Sequence, residues 1–182
     1  EHDLRSPHAL RSAGYEDHGQ LQYLIASNDM FPEREPATVG FRLLPFEESQ
    51  EVRLRAVVEG SYVESLDFPS LGNPRPIEMV LTGYRNTGTY APENWFLAVD
   101  GERDLGCLLL CEHAGAIWEI VYMALVPEAR GRGMGKSLVR FAQWHAGRLG
   151  AGSLVLAVDE RNLPALRGYE DCGFILLERR RL

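Results

Sequence analysis

Within its 182 residues the chain has no apolar run approaching the ~20 positions a membrane-spanning helix requires, so neither a helical span nor a membrane partner is expected. Cysteine is scarce and odd in number, three in all, which argues against a disulfide framework and for a reducing cytoplasm. Cys107 and Cys111 fall on one face of an expected strand, where they read as small core hydrophobes. No histidine–cysteine grouping has the spacing of a zinc site, so no metal is expected. A surplus of positive charge is also missing. The net charge of −7 disfavours nucleic acid as a partner and suits a cationic amine substrate. The first residue is Glu rather than Met, which reads as a processed chain with no signal peptide in the stretch given.

Glycine, by contrast, is plentiful, and three glycines are concentrated in the stretch Ala124–Val139 (ALVPEARGRGMGKSLV). An apolar run ends at Pro127, glycines recur at 131, 133 and 135, and an amphipathic segment follows. The pattern predicts a strand that gives way to a tight turn and then to the first turn of a helix. Free N–H groups and the positive end of the helix dipole make an anion site there. Missing side chains at Gly131, Gly133 and Gly135 allow phosphates to approach the backbone. Arg130, Arg132 and Lys136 add positive charge around Met134. The stretch reads as a pyrophosphate cradle. A Walker A loop would need Gly at 130, which is Arg, and the dinucleotide fingerprint would need Gly at 136, which is Lys.

What fits is R-x-x-G-x-G, Arg130 to Gly135, which resembles the coenzyme-A loop of the GNAT acetyltransferase superfamily. A second run, Asn162–Phe174 (NLPALRGYEDCGF), is similar to that family's N-x-x-A-x-x-x-Y-x-x-x-G-F. Ala165 and Tyr169 stand four apart on one face of a short helix that Gly173 ends. Between the two motifs lie a helix pattern (Leu138, Phe141, Ala142, His145, Leu149) and the strand Leu154–Val158.

The rest of the chain reads as strand Gln20–Ala26, strand Phe41–Phe46, helix Glu47–Leu66 (apolar at Val52, Ala56, Tyr62, Val63, Leu66), a proline-rich loop and helix Pro76–Asn86. Strands Trp95–Val99, Gly106–Cys111, Trp118–Val126 and Phe174–Arg180 complete it. The fold class expected is α/β (α+β layered): a mixed, mostly antiparallel sheet with helices on both faces. The resemblance implies that this sheet splays between its fourth and fifth strands. Residues 1–38 are assigned to an arm and linker, and 39–182 to the acetyltransferase domain. The family sheet ordinarily closes with a hairpin, yet here one strand follows Gly173-Phe174. His8–Tyr15 is similar to the run-up to that hairpin, so the arm reads either as the remnant of an earlier repeat, as in tandem enzymes resembling mycothiol synthase, or as a source of the missing strand. In the second case Gln20–Ala26 fills the place beside the last strand, in its own domain or swapped into a partner as a homodimer.

The resemblance implies an N-acetyltransferase that uses acetyl-CoA and acts on a small-molecule or peptide amine by direct attack. The alternative is a non-catalytic acyl-CoA-binding module. Such transfer needs a base for the amine, a stabilised oxyanion and an acid for the departing thiolate. By motif position, Met123 and Leu125 offer backbone groups to the pantetheine arm, as Asn162 does with its side chain; Asn162 is also placed to cap a helix. Tyr169 is the expected acid, its phenol being protonated at neutral pH. Trp118–Leu125 (WEIVYMAL) is similar to the strand that carries the catalytic glutamate in histone-type members of the family, a resemblance that makes Glu119 the expected base. By period two it shares a face with Val121, Met123 and Leu125, so its carboxylate is expected among apolar neighbours. Two departures from the family stand out: Ala157 occupies the place of the base of the ribosomal-protein-acetylating branch, and Gly168 replaces a large apolar residue. Tyr62, Asp67, Phe68 and Tyr84 are candidates for the acceptor wall.

Overall fold

The computed structural model describes residues 14, 19–67 and 75–181. Phe68 and, apart from Gly14, the His8–Tyr15 run lie outside the described residues. The chain forms β1 (Gln20–Ser27), β2 (Arg42–Pro45), α1 (Glu51–Ser61), α2 (Ile77–Arg85), β3 (Trp95–Asp100), β4 (Arg103–His113), β5 (Ile117–Leu125), α3 (Met134–Arg148), β6 (Ser153–Asp159), α4 (Leu163–Glu170) and β7 (Ile175–Arg181). Seven strands make one sheet in the order β2-β3-β4-β5-β6-β1-β7.

All neighbouring pairs in this sheet are antiparallel except β5 and β6. That parallel pair joins only Ile117–Glu119 to Ser153–Val155. Beyond Glu119 the strands part. β5 continues paired to β4 on one flank, and β6 continues paired to β1 on the other. A wedge therefore opens between the C-terminal halves of β5 and β6, the fourth and fifth strands when counted from β2, as expected for a sheet splayed at this step.

β1 is paired along both flanks, to β6 on one side and β7 on the other. This is the vacant position that Gln20–Ala26 was expected to fill, and it does so within its own chain. Leu24 and Ala26 are buried in the main core. Without β1, the backbone groups of β6 and β7 facing it would lack partners, which a sheet interior does not tolerate.

Helices cover both faces. On one, α3 and α4 pack Leu138, Phe141, Ala142, Leu166 and Tyr169 against Leu108, Leu110, Ile120 and Leu156. On the other, α1 and α2 bury Leu54, Val57, Val58 and Leu81 against Leu97, Val99, Cys107 and Leu109. β4 is buried without interruption from Leu105 to Cys111, because both its faces are covered.

Two expectations need correction. The helix expected over 47–66 is a 3₁₀ turn at Glu48–Gln50 followed by α1, which ends at Ser61. Its buried stripe is Leu54, Val57, Val58 and Ser61, whereas Val52, Val63 and Leu66 are exposed. The spacing i, i+3, i+4, i+7 runs through a serine, which is why apolar residues alone gave the wrong face. The second correction concerns β5. Leu109 opposes Tyr122 and Leu110 opposes Ile120, so Val121 is an extra residue, a β-bulge. The bulge breaks the period of two. Val121 packs with the α1–α2 side and Met123 and Leu125 with the α3–α4 side, so Glu119, Val121, Met123 and Leu125 do not share one face.

Candidate active site

The glycine loop lies where β5 leaves the sheet. After the 3₁₀ turn Pro127–Ala129, Gly131 and Gly133 adopt left-handed φ values of 73° and 77°. Non-glycine residues would be strained at both. Gly133 is the N-cap of α3, so the first N–H groups of that helix follow it directly and have no acceptor within the helix. A Cβ added at Gly131, Gly133 or Gly135 would meet nothing within 4 Å, so the face they present is open. Met134 turns inward and is buried. Arg132 and Lys136 are both exposed, with Lys136 Nζ 3.1 Å from Asp171 Oδ2.

Arg130 does something different from Arg132 and Lys136. Its guanidinium donates to Leu125 O (3.1 Å), Ser61 O (2.7 Å), Val63 O (2.8 Å) and Glu64 O (3.1 Å). It thereby satisfies carbonyls at the C-terminus of α1 and the turn beyond it, where Glu64 has φ 53°. This clamp explains why α1 stops at Ser61.

Asn162 caps α4, its Oδ1 accepting from the N–H of Ala165 at 3.3 Å. One helical face then carries Leu166 and Tyr169 into the core, where the Tyr169 ring lies 5.8 Å from that of Phe174. Burial, then the nearby Asp67 carboxylate and Cys172, push the Tyr169 phenol well above the ordinary tyrosine range, so it stays protonated at neutral pH.

Glu119 sits at the apex of the wedge, the last β5 residue paired to β6. The apolar surroundings expected for it are not what the structure holds. It opposes Cys111 across the β4–β5 ladder, and its Oε2 lies 2.7 Å from His113 Nε2. The bulge turned its expected companions Met123 and Leu125 to the other face. Burial, then the Glu119 charge, push the Cys111 thiol up to about 12.

Beside the wedge, Tyr84 and Tyr122 stack with ring centroids 4.9 Å apart, and Tyr122 Oη meets Ser61 Oγ at 2.8 Å. Burial raises both phenols far above their usual range, and Tyr62 packs in the same cluster. Asp67 accepts from the backbone N–H of Asp159 at 3.4 Å, and its charge also bears on Tyr122 and Tyr169. Tyr122 and His113 were not anticipated. The signal was present for His113: in Cys111-Glu112-His113 the outer two side chains share a face, and the hairpin folds Glu119 opposite them.

A splayed mixed sheet with a glycine loop at the mouth of its wedge defines the class. A sequence profile of the acetyltransferase (GNAT) family matches residues 61–174, and the chain belongs to that family. Mycothiol acetyltransferase of Corynebacterium glutamicum is 37% identical over 79 residues, 43% of this chain and 27% of that protein. The enzyme of the same name from Geodermatophilus obscurus is 34% identical over 91 residues, 47% of this chain and 30% of that protein. The chain thus spans less than a third of the length of the curated relatives it matches. A GCN5-related N-acetyltransferase from Sphaerobacter thermophilus superposes with a TM-score of 0.73 at 22% identity, covering 94% of this chain and 53% of that one. A Bacillus subtilis acetyltransferase solved in complex with CoA gives 0.56 at 23% identity, covering 73% and 75%. No helix among the described residues is long and apolar enough to cross a membrane.

Proposed function

We propose that this domain is an acetyl-CoA-dependent N-acetyltransferase that acetylates the primary amine of a small molecule or peptide by direct attack. One observation carries the reading. The open glycine loop, the free flank of β5 and the Glu119 carboxylate follow one another along a single wedge, from its mouth to its apex. The loop suits a pyrophosphate, because a Cβ at any of its three glycines would occupy only empty space and the α3 N-terminus faces the same way. Bound there, acetyl-CoA supplies an acetyl thioester.

Around it the chain's own residues divide the work. Gly131, Gly133 and Gly135, with the α3 N-terminus, hold the phosphates, and Arg132 and Lys136 add charge. Arg130 acts from behind by fixing the loop to the end of α1. Met123 and Leu125 offer backbone groups along the wedge, with Asn162 beside the start of α4. Glu119 Oε2 accepts the proton that the acceptor amine gives up. Tyr169 Oη donates its proton to the departing sulfur. The relatives' name makes amine precursors of mycothiol the first acceptors to try.

Calorimetry with acetyl-CoA tests the loop, and the expected affinity is in the micromolar range usual for such sites (about 1 μM–1 mM). A folded sample that gives no heat removes the cofactor assignment. A thiol-release assay over amines, aminoglycosides, polyamines and peptides then tests transfer. Heat without release for any acceptor points to a non-catalytic acyl-CoA-binding module instead.

A further inference from the structure

Opposite the glycine loop, at the hairpin end of β4 and β5, three metal-ligating side chains converge. Cys111 and Glu119 face each other in the ladder, and His113 lies two residues from Cys111 on the same face. Cys111 Sγ is 3.4 Å from His113 Nε2, which is 2.7 Å from Glu119 Oε2. The three ligand atoms all lie within 4.8 Å of one another. Two zinc ligands, sulfur at ~2.3 Å and nitrogen at ~2.0 Å, stand about 3.5 Å apart when tetrahedral, close to the sulfur–nitrogen spacing found.

The surroundings are those of a site rather than of a chance encounter. Cys111 is buried, while the His113 and Glu119 side chains are 35% and 25% exposed, so the cluster has a closed floor and an open mouth. Gly88 backs it at φ 58°; a Cβ there would stand 2.6 Å from Cys111 Sγ and 3.1 Å from His113 Cε1. Only glycine lets that backbone lie against the sulfur and imidazole. Thr89 anchors the segment by bridging to Glu112. Two paired strands, not a loop, set the spacing.

We propose that Cys111 Sγ, His113 Nε2 and Glu119 Oε2 bind a divalent cation of the zinc class, and that this ion excludes Glu119 from proton transfer. Thiolate plus imidazole selects zinc-like ions over magnesium or calcium. On binding, Sγ forms a bond to the metal and its proton leaves to solvent. The imidazole proton moves to Nδ1, so that Nε2 presents its lone pair. Thiolate and carboxylate together neutralise the dication, and water fills the fourth position. The exclusion rests on Glu119 being the base proposed above; the binding does not.

Cobalt(II) titrated into the metal-free protein provides the test, read by thiolate-to-cobalt charge-transfer absorption and by zinc displacing the cobalt. The expected result is one ion per chain, a band lost in Cys111→Ser, and affinity at least about tenfold weaker in His113→Gln. Cys172→Ser, in a separate cluster near the end of α4, should keep the band. No band, or a band that survives Cys111→Ser, overturns the site. Should Cys111→Ser fail to fold, unchanged affinity in the part-exposed His113→Gln overturns it equally. Stoichiometric zinc should also stop acetyl transfer to an acceptor. Zinc bound with transfer unimpaired overturns the exclusion and removes Glu119 as base, whereas absence of binding leaves that assignment untouched.

Discussion

The two ends of β5 are built on different terms. At its C-terminal end the glycine loop is a contiguous stretch whose geometry follows from local conformational preference: left-handed Gly131 and Gly133, then a helix start. At its N-terminal end the carboxylate of Glu119 owes its surroundings to β4, to a hairpin, and to a bulge that turns the rest of β5 over. A local site survives being read one residue at a time. A cross-strand site depends on register, and a slip of one residue would send each side chain to the opposite face.

Substitutions should separate the ends. Glu119→Gln keeps shape and removes the base, so turnover should fall by roughly 10²–10⁴ with acetyl-CoA affinity unchanged by calorimetry. A rate within twofold of the parent would make Glu119 a spectator. Tyr169→Phe deletes one hydroxyl, and turnover should drop by about 10², again without loss of affinity. Equal loss of affinity would mean that the ring positions the ligand rather than donating a proton.

Two histidines sharpen the contrast through pH. His113 is part-exposed beside Glu119, whereas His145 is buried on α3 with its Nε2 2.9 Å from Asn94 Oδ1. Burial, helped by Arg148, lowers the His145 pKa to about 4. Unfolded, it takes up a proton near its usual value of about 6.5, so the unfolded state binds more protons between these limits. Stability is therefore full above about 6.5 and is lost as pH falls towards 4, by about 3 kcal/mol in all. Melting curves at pH 7 and 4.5 should show this slope, and His145→Gln should flatten it. An identical slope in the variant would put the acid lability elsewhere.

The smallest effect belongs to the local end. Gly133→Ala meets no neighbour but must hold φ near 77°, a strain of about 1–2 kcal/mol. Acetyl-CoA affinity should fall about tenfold, while cobalt uptake at the other end is unchanged. Coupled loss of both would mean that the ends of β5 do not act independently.

Those differences track what could be read in advance. The loop, the Asn162 cap, the Tyr169 helix and nearly every strand follow from residues within one turn or strand of each other. Gln20–Ala26 was legible as a strand with a place waiting for it, because β6 and β7 each leave a flank that only another strand can satisfy. The end of α1 was not legible. Ser61, rather than Leu66, closes it because Arg130, distant in sequence, takes its carbonyls. Nor was the role of Arg130, which resembles a phosphate ligand by position and is engaged by carbonyl oxygens in the fold.

By itself, the order of apolar residues, glycines and prolines determined the layered α/β class and the strand–loop–helix cradle, since each depends on short-range sterics and periodicity, while Glu119 and Tyr169 stood out as reactive candidates through the resemblance of their motifs to the family's. Only the tertiary structure decided which face each β5 side chain occupies, and hence that Glu119 meets Cys111 and His113 rather than Met123 and Leu125. The bulge at Val121 arises between two strands, where hydrogen-bond pairing rather than the preference of any one residue sets the register.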